Sequence, residues 1–491
     1  MSFYKINAPT GGRIVVLIFC TLLLIGCQPS EIFYKNSLCI ENITTIDAKN
    51  GAIENQTVII KDGKIYKIAP SAELKLAKNN KIIDGSGKYL IPGLWDAHVH
   101  FAYIEEMAPS MFDLFIGYGI TSVRDTGGKI NFVKYWKDRA RANPTTAPRV
   151  MIAGPLLDGV PNVYDGSDLG HPELSVGLST TAEVESKIEE LVGLHVDFLK
   201  AYEMLSPEQF KKVTQRASEK GLKVTGHIPL SMDVIEASNA GLNSMEHLRN
   251  LEFSCASNAA ELFAQRTEYL ASGKNDPGGE LRSRIHRQQR LLAIENYDDK
   301  KADEVLAVLA ANDTWQIPTL ALYRSVRMLK NFQYLPDSIR KHWENDFMSR
   351  NPTSEDINPY TQWMSMMVGK IHKKKISIMA GTDTPIGYLT PGLSLHEELH
   401  QLVESGLSPL EALKTATLNP AIYFNLENEL GWIGENTWAD LVILDANPLD
   451  KIDNTRRING VVKQGEYYDR KRLDHLLTNV GKNKIELHEA E

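Results

Sequence analysis

The chain has 491 residues, enough for a large core and more than one domain. Its 43% hydrophobic and 24% charged residues are ordinary for a folded globular protein and exclude a disordered or fibrous one. The net charge of −8 comes without a basic stripe, so nucleic acid is not an expected partner.

Lys5 and Arg13 precede an apolar run from Ile14 to Ile25, followed by Gly26-Cys27. The run is too short for a comfortable membrane span and has the length of a signal-peptide core. Leu24-Ile25-Gly26-Cys27 resembles the bacterial lipoprotein cleavage box. That resemblance implies loss of residues 1–26, lipidation of Cys27 and a membrane-anchored protein facing the periplasm. An ordinary secretory signal or a short anchor is the alternative. Gln28 rather than Asp follows the cysteine, which in enterobacterial lipoproteins favours the outer membrane. Cys20 leaves with the signal. Cys39 and Cys255 remain, far apart, and are expected to be buried free thiols.

Residues 33–91 read as short strands, with Asp62-Gly63 as a hairpin signal between two of them. Residues 430–467 read the same way. The two ends together predict a small composite β-sandwich domain. Between them, residues 92–429 alternate strand and helix. Strand-like runs stand at Tyr89 to Leu94, which crosses that boundary and leads into His98 and His100, and at Thr121 to Asp125, Arg149 to Gly154 and Val196 to Lys200. Four more follow at Leu222 to His227, Leu242 to His247, Trp315 to Thr319 and Ile376 to Gly381. Eight β/α units in series predict an α/β fold, a closed (β/α)8 TIM-like barrel. Residues 252–300 and 322–360 break the alternation. They are expected to be helical insertions over the barrel mouth, shaping a lid or substrate pocket. Residues 468–491 are highly charged and are expected to form a surface tail.

The chemistry gathers at the strand ends. His98 and His100 are two apart, so in a strand they share a face and can chelate one ion. Imidazoles suit zinc and similar metals. Lys200, His227, His247 and Asp383 end later strands. Barrel enzymes draw their catalytic groups from such positions, so these six side chains are expected to converge. Tyr202 lies two residues past Lys200 and can face the same cup. Arg124 and His171 are further barrel-mouth candidates for holding a substrate carboxylate, with Arg124 also placed to pair with a nearby acid.

Ile91-Pro92-Gly93-Leu94-Trp95-Asp96-Ala97-His98-Val99-His100, Gly381-Thr382-Asp383 and Ala439-Asp440-Leu441-Val442 resemble the motifs of the amidohydrolase superfamily. So do Gly406 to Leu413 and Ala416 to Ala421. The resemblance covers residues 33 to about 465. Val196-Asp197-Phe198-Leu199-Lys200 resembles the binuclear branch that contains prolidase-like and Xaa-Arg dipeptidase-like enzymes. In that branch carbon dioxide carboxylates the lysine, and the carbamate bridges two divalent ions. The resemblance implies two ions, with zinc expected. One takes His98, His100, Lys200 and Asp383, the other Lys200, His227 and His247. It further implies hydrolysis of a carbon–nitrogen bond in a small amide, cyclic amide or dipeptide by a metal-bridging hydroxide. Asp383 would serve as base and acid, and Tyr202 as an oxyanion donor. The alternatives are a ring deaminase with one ion and unmodified Lys200, and a non-catalytic lipid-anchored binding protein.

Overall fold

The computed structural model describes residues 31–32, 37–76, 80–168, 170–323, 332–349 and 358–480. The signal run, Cys27, parts of the second insertion and the end of the charged tail lie outside them. Among the described residues no helix is long and apolar enough to cross a membrane.

Besides a short parallel pair, Glu31–Ile32 with Lys75–Leu76, five strands open the described chain: β1 (Leu38–Asp47), β2 (Gly51–Lys61), β3 (Lys64–Pro70), β4 (Lys81–Asp84) and β5 (Tyr89–Pro92). Asp62 and Gly63 both take positive φ, as a tight hairpin of this type requires, and join β2 to β3. The barrel strands follow: β6 (Leu94–Val99), β7 (Ile120–Asp125), β8 (Arg149–Ile152), β9 (Leu156–Asp158), β10 (Phe198–Ala201), β11 (Lys223–Gly226), β12 (Ser244–Glu246) and β13 (Trp315–Ile317). The chain then returns to the first sheet with β14 (Leu441–Leu444), β15 (Ile458–Lys463) and β16 (Glu466–Asp469). That sheet has the order β16-β15-β14-β5-β1-β2-β3, with β4 also paired to β1. Both ends of the chain therefore build one sheet. Leu38, Ile40, Val58, Ile60, Leu441, Ile443 and Val462 form its apolar core.

The barrel pairs parallel from β6 to β8 and from β9 through β13. The expected third strand is split. Gly154, at φ +79°, turns the backbone out of the strand, and the chain resumes as β9. Asp197 N–H donates to Ile152 O at 2.9 Å and Tyr202 N–H to Leu157 O at 2.9 Å, carrying the wall across the break. The eighth stave is the segment 376–384. It makes only single bridges, Ile378 to Gln316 and Thr384 to Val99, yet these close the ring onto β6.

The connecting helices include α1 (Ala108–Gly117), α2 (Ile130–Ala142), α3 (Thr181–Gly193), α4 (Pro207–Glu219) and α5 (Val234–Asn239). Helix α4 starts as its sequence dictates: Pro207 occupies the first turn and Ser206 with Gln209 forms a capping box. The first insertion is helical, as α6 (Leu251–Ser254), α7 (Ala259–Ser272) and α8 (Gly278–Glu295), before α9 (Asp299–Ala311). Farther on lie α10 (Asp337–Ser349), α11 (Pro359–Lys373) and α12 (Leu393–Glu404).

The C-terminal region departs from the expectation of a charged tail. Residues 470–478 form α13 (Arg470–Thr478), whose Leu473 and Leu477 are buried against α1. A Cβ at Gly117 would lie 2.5 Å from the Leu477 side chain, so a larger residue there would require Leu477 to shift. Each buried leucine contributes about 1.5–3 kcal/mol, and the basic residues of α13 lie on its outer side. Cys39 and Cys255 are buried free thiols, as expected.

Candidate metal centre

Each predicted ligand stands at the C-terminal end of a barrel stave. His98 is in β6 and His100 just past it. Lys200 is in β10. His227 and His247 follow β11 and β12, and Asp383 follows the closing segment. All six are buried and line one cavity of about 220 Å³. His247 and Asp383 sit at φ +59° and +70°, a left-handed backbone that non-glycine residues hold only when their surroundings force it.

His98 Nε2, His100 Nε2 and an Asp383 carboxylate oxygen form a group with the spacing of metal ligands. Asp383 Oδ1 lies 3.0 Å from His98 Nε2 and 3.2 Å from His100 Nε2, and makes no well-aligned hydrogen bond. His247 Nε2 stands 3.8 Å from Asp383 Oδ2. The His247 ring centre is 4.7 Å from that of His98 and 4.9 Å from that of His227.

The outward nitrogen of every ring is engaged. His98 Nδ1 contacts Glu246 Oε2 at 2.6 Å, and His100 Nδ1 contacts Gly127 O at 3.0 Å. His227 Nδ1 contacts Glu203 Oε1 at 2.6 Å, and His247 Nδ1 contacts Thr319 Oγ1 at 2.6 Å. An acceptor at Nδ1 fixes the tautomer that leaves the Nε2 lone pair facing inward, the state a metal requires. Burial also pushes the His227 imidazole down to about 3, which keeps it neutral.

Lys200 is enclosed and its Nζ has no hydrogen-bond partner among the described residues; Glu246 Oε1 lies 4.0 Å away. Burial, opposed by Glu246, pushes its ammonium down to about 8. Beneath it, Arg124 is fully buried. It donates to Glu246 at 2.7 Å and to the Ala97 carbonyl at 2.5 Å. Arg124 therefore pairs with an acid under the cup and does not reach the mouth. Despite burial, Arg124, Lys200 and His98 hold the Glu246 carboxyl well below its usual range. His171 contacts Asp168 at 3.0 Å on the outer loop and is not among the cavity-lining residues.

Tyr202 lines the cavity with its ring 4.4 Å from His227. Burial pushes its phenol well above the usual range, so it remains a hydrogen-bond donor. The sequence reading did not single out the basic wall formed by Arg249, Arg282 and Arg290, which line the same cavity with Tyr164 and Tyr323. Arg249 was within reach of the strand rule, two residues past His247. Arg282 and Arg290 arrive on α8 from the insertion, where only a basic run was visible. Glu203 and Glu246 were also missed. Each abuts a recognised residue in sequence, yet acts on a histidine far away along the chain.

This donor set fits a divalent ion: neutral imidazoles and a carboxylate converge, and a lysine amine without partners faces them.

Comparisons with known proteins agree. The sequence profile of the Amidohydrolase family matches residues 89–467. A dihydroorotase of Streptococcus pneumoniae is 23% identical over 418 residues, covering 83% of this chain and 90% of that protein. A Clostridium botulinum adenine deaminase is 22% identical over 432 residues, or 86% of this chain and 55% of the relative. A Clostridioides difficile dihydroorotase is 47% identical over 64 residues, so the match spans only 15% of its length. Among solved structures, a Xaa-Pro dipeptidase with bound methionine superposes with TM-score 0.63 at 19% identity, covering 88% of this chain and all of that one. A bottromycin amidohydrolase does so with TM-score 0.65 at 19% identity over 91% of each chain. With the profile spanning most of the sequence and the strand-end ligands in place, the chain belongs to the amidohydrolase family.

Proposed function

We propose that the protein is a metal-dependent hydrolase of a carbon–nitrogen bond in a small amide or dipeptide that carries a carboxylate. The observation that carries this reading is the set of four buried imidazoles. Each spends its Nδ1 outward, Nε2 of His98, His100 and His247 lies within 4 Å of Asp383, and all four line one cavity with Asp383 and the unpartnered Lys200. A structural histidine has no need of that arrangement. Its relatives named for dihydroorotase, adenine deaminase and dipeptidase activity support the bond type.

In this reading His98, His100 and Asp383 hold one ion and His227 and His247 a second. Lys200 contributes to both after its Nζ lone pair bonds the carbon of carbon dioxide and the nitrogen loses a proton. Bound there, divalent ions supply Lewis acidity that acidifies a water and polarises a carbonyl. Asp383 takes the water's proton and delivers it to the departing nitrogen. The Tyr202 phenol donates to the oxygen that gains charge.

The basic wall selects the substrate. Arg282 Nε and Arg290 Nε each lie 3.3 Å from an acid, Glu203 and Glu252. Arg249 Nε lies 3.9 Å from Glu203, and neither it nor Arg290 Nη2 has a hydrogen-bond partner among the described residues. Three guanidinium groups thus face two carboxylates, one of which also serves two histidines. The surplus cations favour an anionic substrate end. They weigh against a neutral ring, and so against the deaminase alternative.

The test is a panel of dipeptides, N-acyl amino acids, cyclic amides and the matching neutral amides, with zinc-loaded, bicarbonate-treated protein. Turnover is expected only where a carboxylate is present. Turnover confined to neutral rings, or a lysine that takes up no carbon dioxide while activity is full, sinks the reading. We further propose that Cys27 anchors the protein to a bacterial envelope membrane, on the strength of the apolar run that ends at it.

A further inference from the structure

Helix α8 belongs to the first insertion, which from sequence is a lid or pocket element. It does line the pocket, through Arg282 and Arg290, and its contacts give it a second role. Arg282, His286 and Arg290 recur every fourth residue, so they share one face of the helix. That face meets Glu203, a carboxylate with no exposure. Glu203 Oε2 accepts from His286 Nε2 at 2.5 Å, and Oε1 accepts from Arg282 Nε at 3.3 Å. The same Oε1 accepts from Nδ1 of His227 at 2.6 Å. One carboxylate therefore ties the insertion helix to a candidate metal ligand.

The helix is held firmly enough to act this way. Leu281 and Ile285 pack with Leu230, whose N–H donates to the Glu203 carbonyl at 2.7 Å. At the start of α8, a Cβ on Gly278 would lie 2.3 Å from the Asn162 carbonyl, and one on Gly279 would lie 2.5 Å from His171. Two glycines thus let the helix terminus seat directly on Pro161, Asn162 and His171. Farther along, Gln289 accepts from Arg266 Nε at 2.8 Å.

We infer that α8 is a strap that positions His227 through Glu203, with His286 the positioning residue, so that the insertion sets the affinity of the second metal site. His286 touches neither ion nor substrate in this scheme. It fixes the carboxylate that fixes the imidazole. The other site, built on His98, His100 and Asp383, takes its outer support from Glu246 and Gly127 and does not depend on α8. The inference rests on the two-ion reading above.

The experiment is a zinc titration of the full chain against a chromophoric chelator, which reads each ion's affinity without reference to turnover. The wild type is expected to bind two ions. His286→Leu should weaken one of them by about 10–100-fold, the usual cost of losing an outer partner, and leave the other unchanged. His286→Gln, whose amide nitrogen can reach the same oxygen, should restore most of the loss. A Leu variant that binds both ions as tightly as the wild type overturns the inference alone. An equal loss at both sites overturns it as well, because that is the signature of general unfolding. A wild type that binds one ion removes the two-ion reading and the inference with it. If His286→Leu does not fold, His286→Phe, which fills the space of the ring and donates nothing to Glu203, carries the same test.

Discussion

Glu246→Gln is the most direct test of how the cup is supported. The wild-type carboxylate is fully enclosed. It accepts from Arg124 Nη2 at 2.7 Å, His98 Nδ1 at 2.6 Å and the Thr225 hydroxyl, and lies 4.0 Å from Lys200 Nζ. Glutamine keeps the shape but turns one acceptor into a donor and removes the negative charge. One of Arg124 and His98 must then face a donor, and Arg124 becomes a buried cation without a counter-ion. Breaking a buried pair in this way costs about 3–5 kcal/mol. At about 1.4 kcal/mol per factor of ten, folding should weaken by roughly 10²- to 10³-fold or more. His98 also loses the partner that fixes its tautomer, so zinc affinity should fall by about 10–100-fold. Urea denaturation of the metal-free protein measures the first effect and chelator competition the second. The double variant Arg124→Met/Glu246→Gln should recover part of the stability, because the uncompensated guanidinium is gone. If Glu246→Gln unfolds within about 0.5 kcal/mol of the wild type, the range of an ordinary surface change, and binds zinc equally well, the reasoning fails.

Asp383→Asn retains an oxygen ligand but loses the basic group, so turnover should drop by roughly 10²-fold or more while bound metal, measured by elemental analysis, changes little. Normal turnover at full occupancy would leave Asp383 as a ligand only. Lys200→Ala should lose most activity and regain part of it with added acetate, whereas Lys200→Arg should not, because guanidinium stays cationic; full activity in Lys200→Ala refutes any role as a ligand. Burial pushes the Glu398 carboxyl up to about 8 from an ordinary 4.5, so the native state holds a proton that the unfolded chain releases between those values. Its contribution is complete below about pH 4.5 and is lost as pH rises through 8, with a slope of at most about 1.4 kcal/mol per unit. Glu398→Gln should therefore flatten the fall in urea midpoint from pH 5 to 8, and an unchanged slope counts against a protonated Glu398. Finally, Cys27→Ser should release the protein from membranes or leave an unprocessed precursor; a normally cleaved variant that still fractionates with lipid places the anchor elsewhere.

The barrel, the composite sheet and the six side chains of the cup are legible in the chain alone. These are written in local periodicity: a strand places every second residue on one face, and a parallel barrel brings its strand ends to one rim. His98 and His100 needed only that rule, and so did Lys200 and Tyr202. Asp62-Gly63 announced its hairpin through the positive φ that the turn demands. Tertiary structure decided what surrounds the cup. Glu246 reaches His98 across 148 positions and His286 reaches Glu203 across 83, distances over which no local pattern carries information. Arg124 illustrates the same limit from the other side. Its strand position allowed either the mouth or the floor, and the buried charge of Glu246 settled it on the floor. The helix Arg470–Thr478 looked like tail because six of its nine residues are polar or charged, and only the packing of Leu473 and Leu477 on α1 shows why it folds. A ligand set can be read from a chain because strands impose it locally. The network that makes each ligand competent comes from side chains that meet only once the barrel has closed.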